Sequence, residues 1–166
     1  NGVFILLTSR FNLLLDTIIS RCQTIRFKPY SDKDLRQFIK NSKYNNLDVL
    51  SDSGVLENLI FISNGSPGKL LDNLEFWNQI PKTIKNEIEF PLKNYEIILN
   101  LAKNIANLLD LNQQEFLLNY IQRNWWKRTK NKKIAEILET IKNNIHSNVQ
   151  PRVSWEVGLL KIKFEE

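Results

Sequence analysis

A mainly α-helical chain is predicted, and three observations predict it. Glycine and proline appear five times each in 166 residues, so tight turns are scarce. Long stretches carry apolar residues at helical spacing, most cleanly Ile134, Ile137, Leu138, Ile141 and Ile145. Only two short segments read as strands, residues 3–8 and 23–27.

Residues 3–8 are continuously apolar. Such a run belongs to a strand covered on both faces, which needs neighbouring strands to complete it. Residues 13–21 are expected as a short helix between the two strands, and Pro29 then breaks the chain. Ser31 is the expected N-cap of the next helix, with Asp34 at its third position. That helix should run to about Lys40, with Leu35, Phe38 and Ile39 inward. Asp52 or Ser53 should open a helix over residues 55–63, stopped by Asn64-Gly65 in left-handed backbone. Pro67 suits the first turn of a helix continuing to about Trp77.

Ile80-Pro81 reads as a linker to a second helical unit. There Ile98, Leu101, Ala102, Ile105 and Leu109 share one face of a helix over residues 94–109. Phe116, Leu117, Tyr120 and Ile121 share a face of the next. Val153, Trp155, Val157 and Leu159 alternate as a strand would, but Pro151 suits a helix start and a helix is expected.

Composition excludes several classes. Hydrophobic residues are 42% and charged residues 25%, an ordinary globular mix. A single cysteine, Cys22, allows no internal disulfide, and with one histidine, His146, it builds no closed zinc site. His146 has no neighbouring acid or nucleophile that would suggest catalysis. No stretch reaches the ~18 apolar residues of a membrane span. No Gly-rich loop ends in Gly-Lys-Ser/Thr, so no phosphate cradle is expected in this chain. The net charge of +5 permits an acidic partner without demanding one. None of the residues is Met, and the expectation is an internal piece that begins inside a domain. A buried-type strand with little sheet to join fits that expectation. Residues 1–29 should then be either poorly packed or held by an intermolecular contact.

The stretch Thr17-Ile18-Ile19-Ser20-Arg21-Cys22-Gln23 places an arginine at the end of a short helix, beside a sheet edge. A guanidinium there is a five-donor fork suited to phosphate oxygens. On spacing alone, a surface arginine beside a buried cysteine explains it as well.

The surrounding residues add a resemblance. Phe-Ile-Leu-Leu-Thr, then Leu-Leu-x-Thr-Ile-x-Ser-Arg-Cys-Gln-x-Ile-x-Phe-x-Pro, closely resembles the end of the ATPase module in AAA+ sliding-clamp loaders. The resemblance implies that Arg21 is an arginine finger, reaching across to a neighbouring subunit's ATP, with Ser20 and Cys22 positioning it. Thr8 and Ser9 lie near the family's first sensor but show no clear match to it.

Ser63-Asn64-Gly65-Ser66-Pro67-Gly68-Lys69-Leu70-Leu71 is, from its residues, a corner between two helices. In ATP-hydrolysing members of the family the matching stretch reads Gly-Ser-x-Arg-Asp-Ala-Leu, and its arginine touches nucleotide. Gly68 occupies that position here and cannot sense phosphate. Lys69, one residue on, points about 100° around the helix and substitutes poorly. The Gly-Ser-Pro-Gly form is similar to the delta-prime branch, which donates an arginine finger without turning over ATP. The ATP-hydrolysing gamma/tau branch is the alternative within the family.

The resemblance implies a domain order: the end of an α/β AAA+ ATPase domain (1–29), helical lid (30–79), helical collar (82–166). It also implies cytoplasmic partners, namely gamma/tau and delta subunits, and indirectly the sliding clamp and primed DNA. ATP-Mg would be bound by neighbouring subunits, with no cofactor in this chain.

A last candidate is basic. Arg123, Lys127, Arg128, Lys130, Lys132 and Lys133 surround Trp125-Trp126 without an intervening acid. Cations on phosphates and rings on bases can clamp nucleic acid, the basis of an alternative reading as a small nucleic-acid-binding module. The plainer account is a solvated loop between helices, with Trp125 in the core and Trp126 partly exposed.

Overall fold

The computed structural model describes residues 2–8, 10–42, 52–147 and 149–165, and among them the regular structure is helical, without a strand. Residues 2–8 form no regular structure, and Val3 and Phe4 are 90% and 94% exposed. The strands expected at 3–8 and 23–27 are therefore absent. A strand is stable only in a ladder, and these two segments do not pair. The helix expected over 13–21 is reduced to a 3-10 turn, Phe11–Leu13, and one turn of helix, α1 (Asp16–Ile19).

From Ser31 onward the local signals produce the elements they suggest. In α2 (Asp32–Lys40) the Ser31 hydroxyl accepts the Asp34 N–H at 3.2 Å, and the Asp34 carboxylate accepts the Ser31 N–H at 3.3 Å. Two of the otherwise unpaired amides of the first turn are thereby satisfied. Leu35 and Ile39 are buried, whereas Phe38 is only half-buried. Asp52 caps α3 (Ser53–Ile62) by accepting from Gly54 and Val55. Ser66 caps α4 (Pro67–Gln79), with Pro67 in its first turn.

The expected linker at Ile80-Pro81 is a buried corner instead. Ile80 is 2% exposed, and α5 (Lys82–Glu87) starts directly after Pro81 and buries Ile84. A six-residue helix is too short to show a period, which is why the sequence conceals it. Then come α6 (Tyr95–Leu108), α7 (Leu111–Thr129), α8 (Lys132–His146) and α9 (Pro151–Glu165). The residues foreseen on the inner faces of α6, α7 and α8 are buried, except Ile137, which is half-buried. Residues 153–164 lie inside α9, so their alternation is incidental.

The core is continuous from α2 to α9. It runs from Leu35, Leu59 and Leu70 through Ile80 and Ile84 to Leu117, Leu138 and Trp155. Each such side chain, fully buried, is worth roughly 1.5–3 kcal/mol. α9 lies against α6 and α8, and α7 packs on α3, α4 and α8. Aromatic pairs join α4 to α7: Phe76–Phe116 at 5.7 Å and Trp77–Tyr120 at 4.4 Å between centroids.

Candidate functional site

Ser20, Arg21 and Cys22 form the turn that closes α1. The Arg21 N–H donates to the Ile18 carbonyl at 3.1 Å, and the Cys22 N–H to that of Ile19 at 3.3 Å. The Ser20 hydroxyl donates to the Thr17 carbonyl at 3.2 Å, holding the turn in place. Arg21 is exposed, and among the described residues nothing pairs with its guanidinium. It is a planar five-donor fork, held by its backbone and open to an anion carried by another molecule. Cys22 is exposed as well, not the buried small hydrophobe expected of it. Among the described residues no sheet edge forms beside it to cover the thiol. Thr8 spends its hydroxyl locally, accepting the Arg10 N–H at 3.0 Å, and Ser9 lies outside the described residues.

The second candidate stretch is the corner between α3 and α4. Asn64 and Gly65 take left-handed backbone, with φ of 50° and 75°. Gly65 has a further role that the sequence does not reveal. Its carbonyl accepts the Tyr30 N–H at 2.9 Å, and a Cβ on it would lie 2.5 Å from the Pro29 Cβ. Gly68 differs. It is exposed in the first turn of α4, and a Cβ built there would meet no atom within 4 Å. Packing therefore does not require glycine at 68; the site would admit a longer side chain, and none is present. Lys69 is exposed, with its backbone N–H taken by Ser66 at 3.3 Å.

The basic stretch is not a loop. It spans the end of α7, a left-handed Lys130 with φ of 52°, and the start of α8. All six cations have partners within the chain. Arg123 lies over the Phe61 ring at 3.6 Å, and Lys127 pairs with Glu57 at 2.8 Å, both joining α7 to α3. The hydrogen bond from Lys127 holds the Glu57 carboxyl below the usual carboxylate range. Arg128 donates to the Phe90 carbonyl at 2.9 Å, and Lys130 sits 5.9 Å over Trp126. Lys132 pairs with Glu136 at 3.5 Å and Lys133 with Glu165 at 3.0 Å. Trp125 is buried and donates its indole N–H to the Ile88 carbonyl at 3.0 Å, while Trp126 is 38% exposed. These contacts fasten the α7–α8 corner to α3, to the segment before α6 and to α9.

His146 approaches Glu115 at 3.7 Å on the surface. Among the described residues no group of three or more His, Cys, Asp and Glu could hold a metal ion. No described helix is long and apolar enough to cross a membrane.

The fold thus defines a mainly helical domain preceded by a short segment that presents an exposed arginine. Its family is specific. Residues 33–162 match the family described as cyanobacterial DNA polymerase III delta prime, C-terminal domain, and the chain belongs to that family. Membership ties it to the clamp loader of DNA polymerase III. The matched span runs from α2 into α9, and Arg21 precedes it. Comparisons with curated proteins and with solved structures give no match.

Proposed function

We propose that the chain is part of a non-hydrolysing clamp-loader subunit that donates Arg21 in trans to an ATP bound by a neighbouring subunit. The observation that carries the reading is the exposed guanidinium of Arg21, without a partner among the described residues, a short way upstream of a delta-prime C-terminal domain. Phosphoryl transfer spreads negative charge over the γ-phosphate oxygens, and an arginine supplied from outside stabilises that charge. Residues 1–29 are read as the end of an ATPase-like domain, 30–79 as the lid and 82–166 as the collar that assembles with gamma/tau and delta subunits. The sliding clamp and primed DNA are then indirect partners, in the cytoplasm.

The chain itself is read as non-catalytic. Gly68 supports this over the ATP-hydrolysing gamma/tau alternative, because the position that would carry a phosphate-sensing arginine is empty though the space is open. The reading does not require direct DNA contact by the basic stretch, whose cations also make contacts inside the chain.

The test uses the full-length subunit in its assembled complex. Arg21→Ala should leave assembly intact and lower DNA-stimulated ATP hydrolysis by about 10³-fold or more at the site it serves, the usual worth of such an arginine. Undiminished hydrolysis in a well-assembled complex would sink the proposal.

A further inference from the structure

The Arg21-bearing segment meets the helical domain closely at Pro29 and Tyr30. The Tyr30 N–H donates to the Gly65 carbonyl at 2.9 Å. Beside it, Pro29 packs so closely on Gly65 that a Cβ there would stand 2.5 Å from the Pro29 Cβ and 2.9 Å from the Tyr30 carbonyl oxygen. Gly65 also needs its φ of 75°, a conformation costly to any residue with a side chain. Three separate demands, a left-handed backbone, a van der Waals approach and a hydrogen bond, therefore converge on one glycine. Ending α3 requires only the first of them. The other two face the chain that leads back to Arg21.

We infer that Gly65 is a positioning residue for Arg21, acting through a latch on Pro29 and Tyr30. Pro29 stands eight residues after Arg21, so the latch fixes the origin of a tether at most about 29 Å long. Proline at the fastening point stiffens the tether, because its φ is locked. The latch sets where the segment leaves the helical domain and in which direction. Loosening it widens the volume over which the guanidinium is distributed and lowers the fraction of time it spends at a neighbour's phosphates. Positional error of about 1 Å in a catalytic group is worth about a hundredfold in rate. The inference rests on the arginine-finger reading of Arg21.

Two measurements test it. In the full-length subunit and assembled complex, Gly65→Ala should lower the kcat of DNA-stimulated ATP hydrolysis by up to about a hundredfold, leaving KM for ATP unchanged. In an Arg21→Ala background the same substitution should cost nothing further, because it acts through a side chain already removed. A merely structural role would instead give losses that multiply. Pro29→Gly, at an exposed position and adding no atoms, is expected to behave alike and covers the case in which Gly65→Ala does not fold. The second measurement is independent of ATP. Cys22 is the only cysteine of this chain and is exposed. Spin labels on Cys22 and on an Asp72→Cys variant in α4 should give a narrower distance distribution in the parent chain than with Gly65→Ala or Pro29→Gly. Equal distributions, or multiplicative losses of kcat, would overturn the positioning role alone. An Arg21→Ala variant of undiminished activity would remove the arginine-finger reading, and the positioning role with it.

Discussion

The indole N–H of Trp155 donates to the Oε1 of Gln114 at 3.0 Å, and through this pair α9 is joined to α7 in the middle of the core. Trp155 is fully buried and Gln114 is 2% exposed. The same amide uses its Nε2 to donate to the Leu109 carbonyl at 2.9 Å, at the C-terminal end of α6. One side chain thus satisfies a buried donor and a buried acceptor from two other helices. A core built mainly from Leu and Ile has few directional contacts, and this relay specifies how α6, α7 and α9 meet.

Gln114→Leu keeps the approximate volume but leaves the Trp155 indole and the Leu109 carbonyl without partners. Each buried group so stranded costs about 1–3 kcal/mol. Urea unfolding should show a loss of about 2–4 kcal/mol, and Trp155→Phe should cost less than its lost area alone when added to Gln114→Leu. Fully additive losses in that double-mutant cycle would show that the two side chains are not coupled.

The relay also marks a limit of sequence reading. The inner faces of α6 and α8 are legible because Ile98, Leu101 and Ile105, or Ile134, Leu138 and Ile141, recur with the helical period against polar neighbours. Gln114 is polar and reads as solvent-exposed; nothing local says that Trp155, forty-one positions away, will reach it. The strand expected at 3–8 failed for a related reason. A continuous apolar run reports burial only if something exists to bury it, and pairing partners are a property of tertiary structure. The end of α7 was hidden because its left-handed stop is Lys130, where Gly or Asn would have signalled it. For the candidate site, residue context singles out Arg21 and Gly68. It assigned Gly65 only a helix-ending role, since a close approach from Pro29 leaves no mark in residue spacing.

Gly158 sits where α9 crosses α8, and a Cβ there would fall well inside van der Waals contact distance of Ile141 Cδ1 and Cγ1. Ile141 is buried on α8, and its side chain would have to shift to admit the added methyl. Gly158→Ala should therefore destabilise the fold by about 1–3 kcal/mol, although alanine is the better helix former. Gly68→Ala is the matched control, since its Cβ would meet nothing, and it should be neutral or stabilising by up to about 1 kcal/mol. Equal midpoints of thermal unfolding for the two variants would contradict the assignment of a packing role to Gly158.

Acid should weaken the joint between α3 and α7. The Glu57 carboxyl is lowered below its ordinary value first by the hydrogen bond from Lys127 and then by the charge of that lysine. A depressed folded-state value means that the pair contributes above the unfolded value, about 4.3 for glutamate, and that the contribution is lost as pH falls through the lower folded value. Both partners are partly exposed, so the effect is small and screened by salt. Stability followed from neutral pH downward should fall less steeply below about pH 4 in Glu57→Gln than in the parent. Identical acid limbs at low salt would show the contact to be energetically idle.

Alkali acts on a different group. Tyr120 is 4% exposed, packed against the tilted ring of Trp77, and burial pushes its phenol up to about 12. An unfolded chain ionises the same phenol near 10. The folded state therefore holds this proton more tightly, a contribution fully present below about pH 10 and lost as pH rises from there to about 12. Followed by the ultraviolet absorbance of tyrosinate, the titration should show a late phenol whose ionisation coincides with loss of tertiary structure. Tyr120→Phe should remove that late step and flatten the alkaline limb of the stability curve, whatever it does to stability at neutral pH. A titration curve in which the late step survives Tyr120→Phe would assign it to another tyrosine and would mean that the Trp77–Tyr120 contact opens before the fold does.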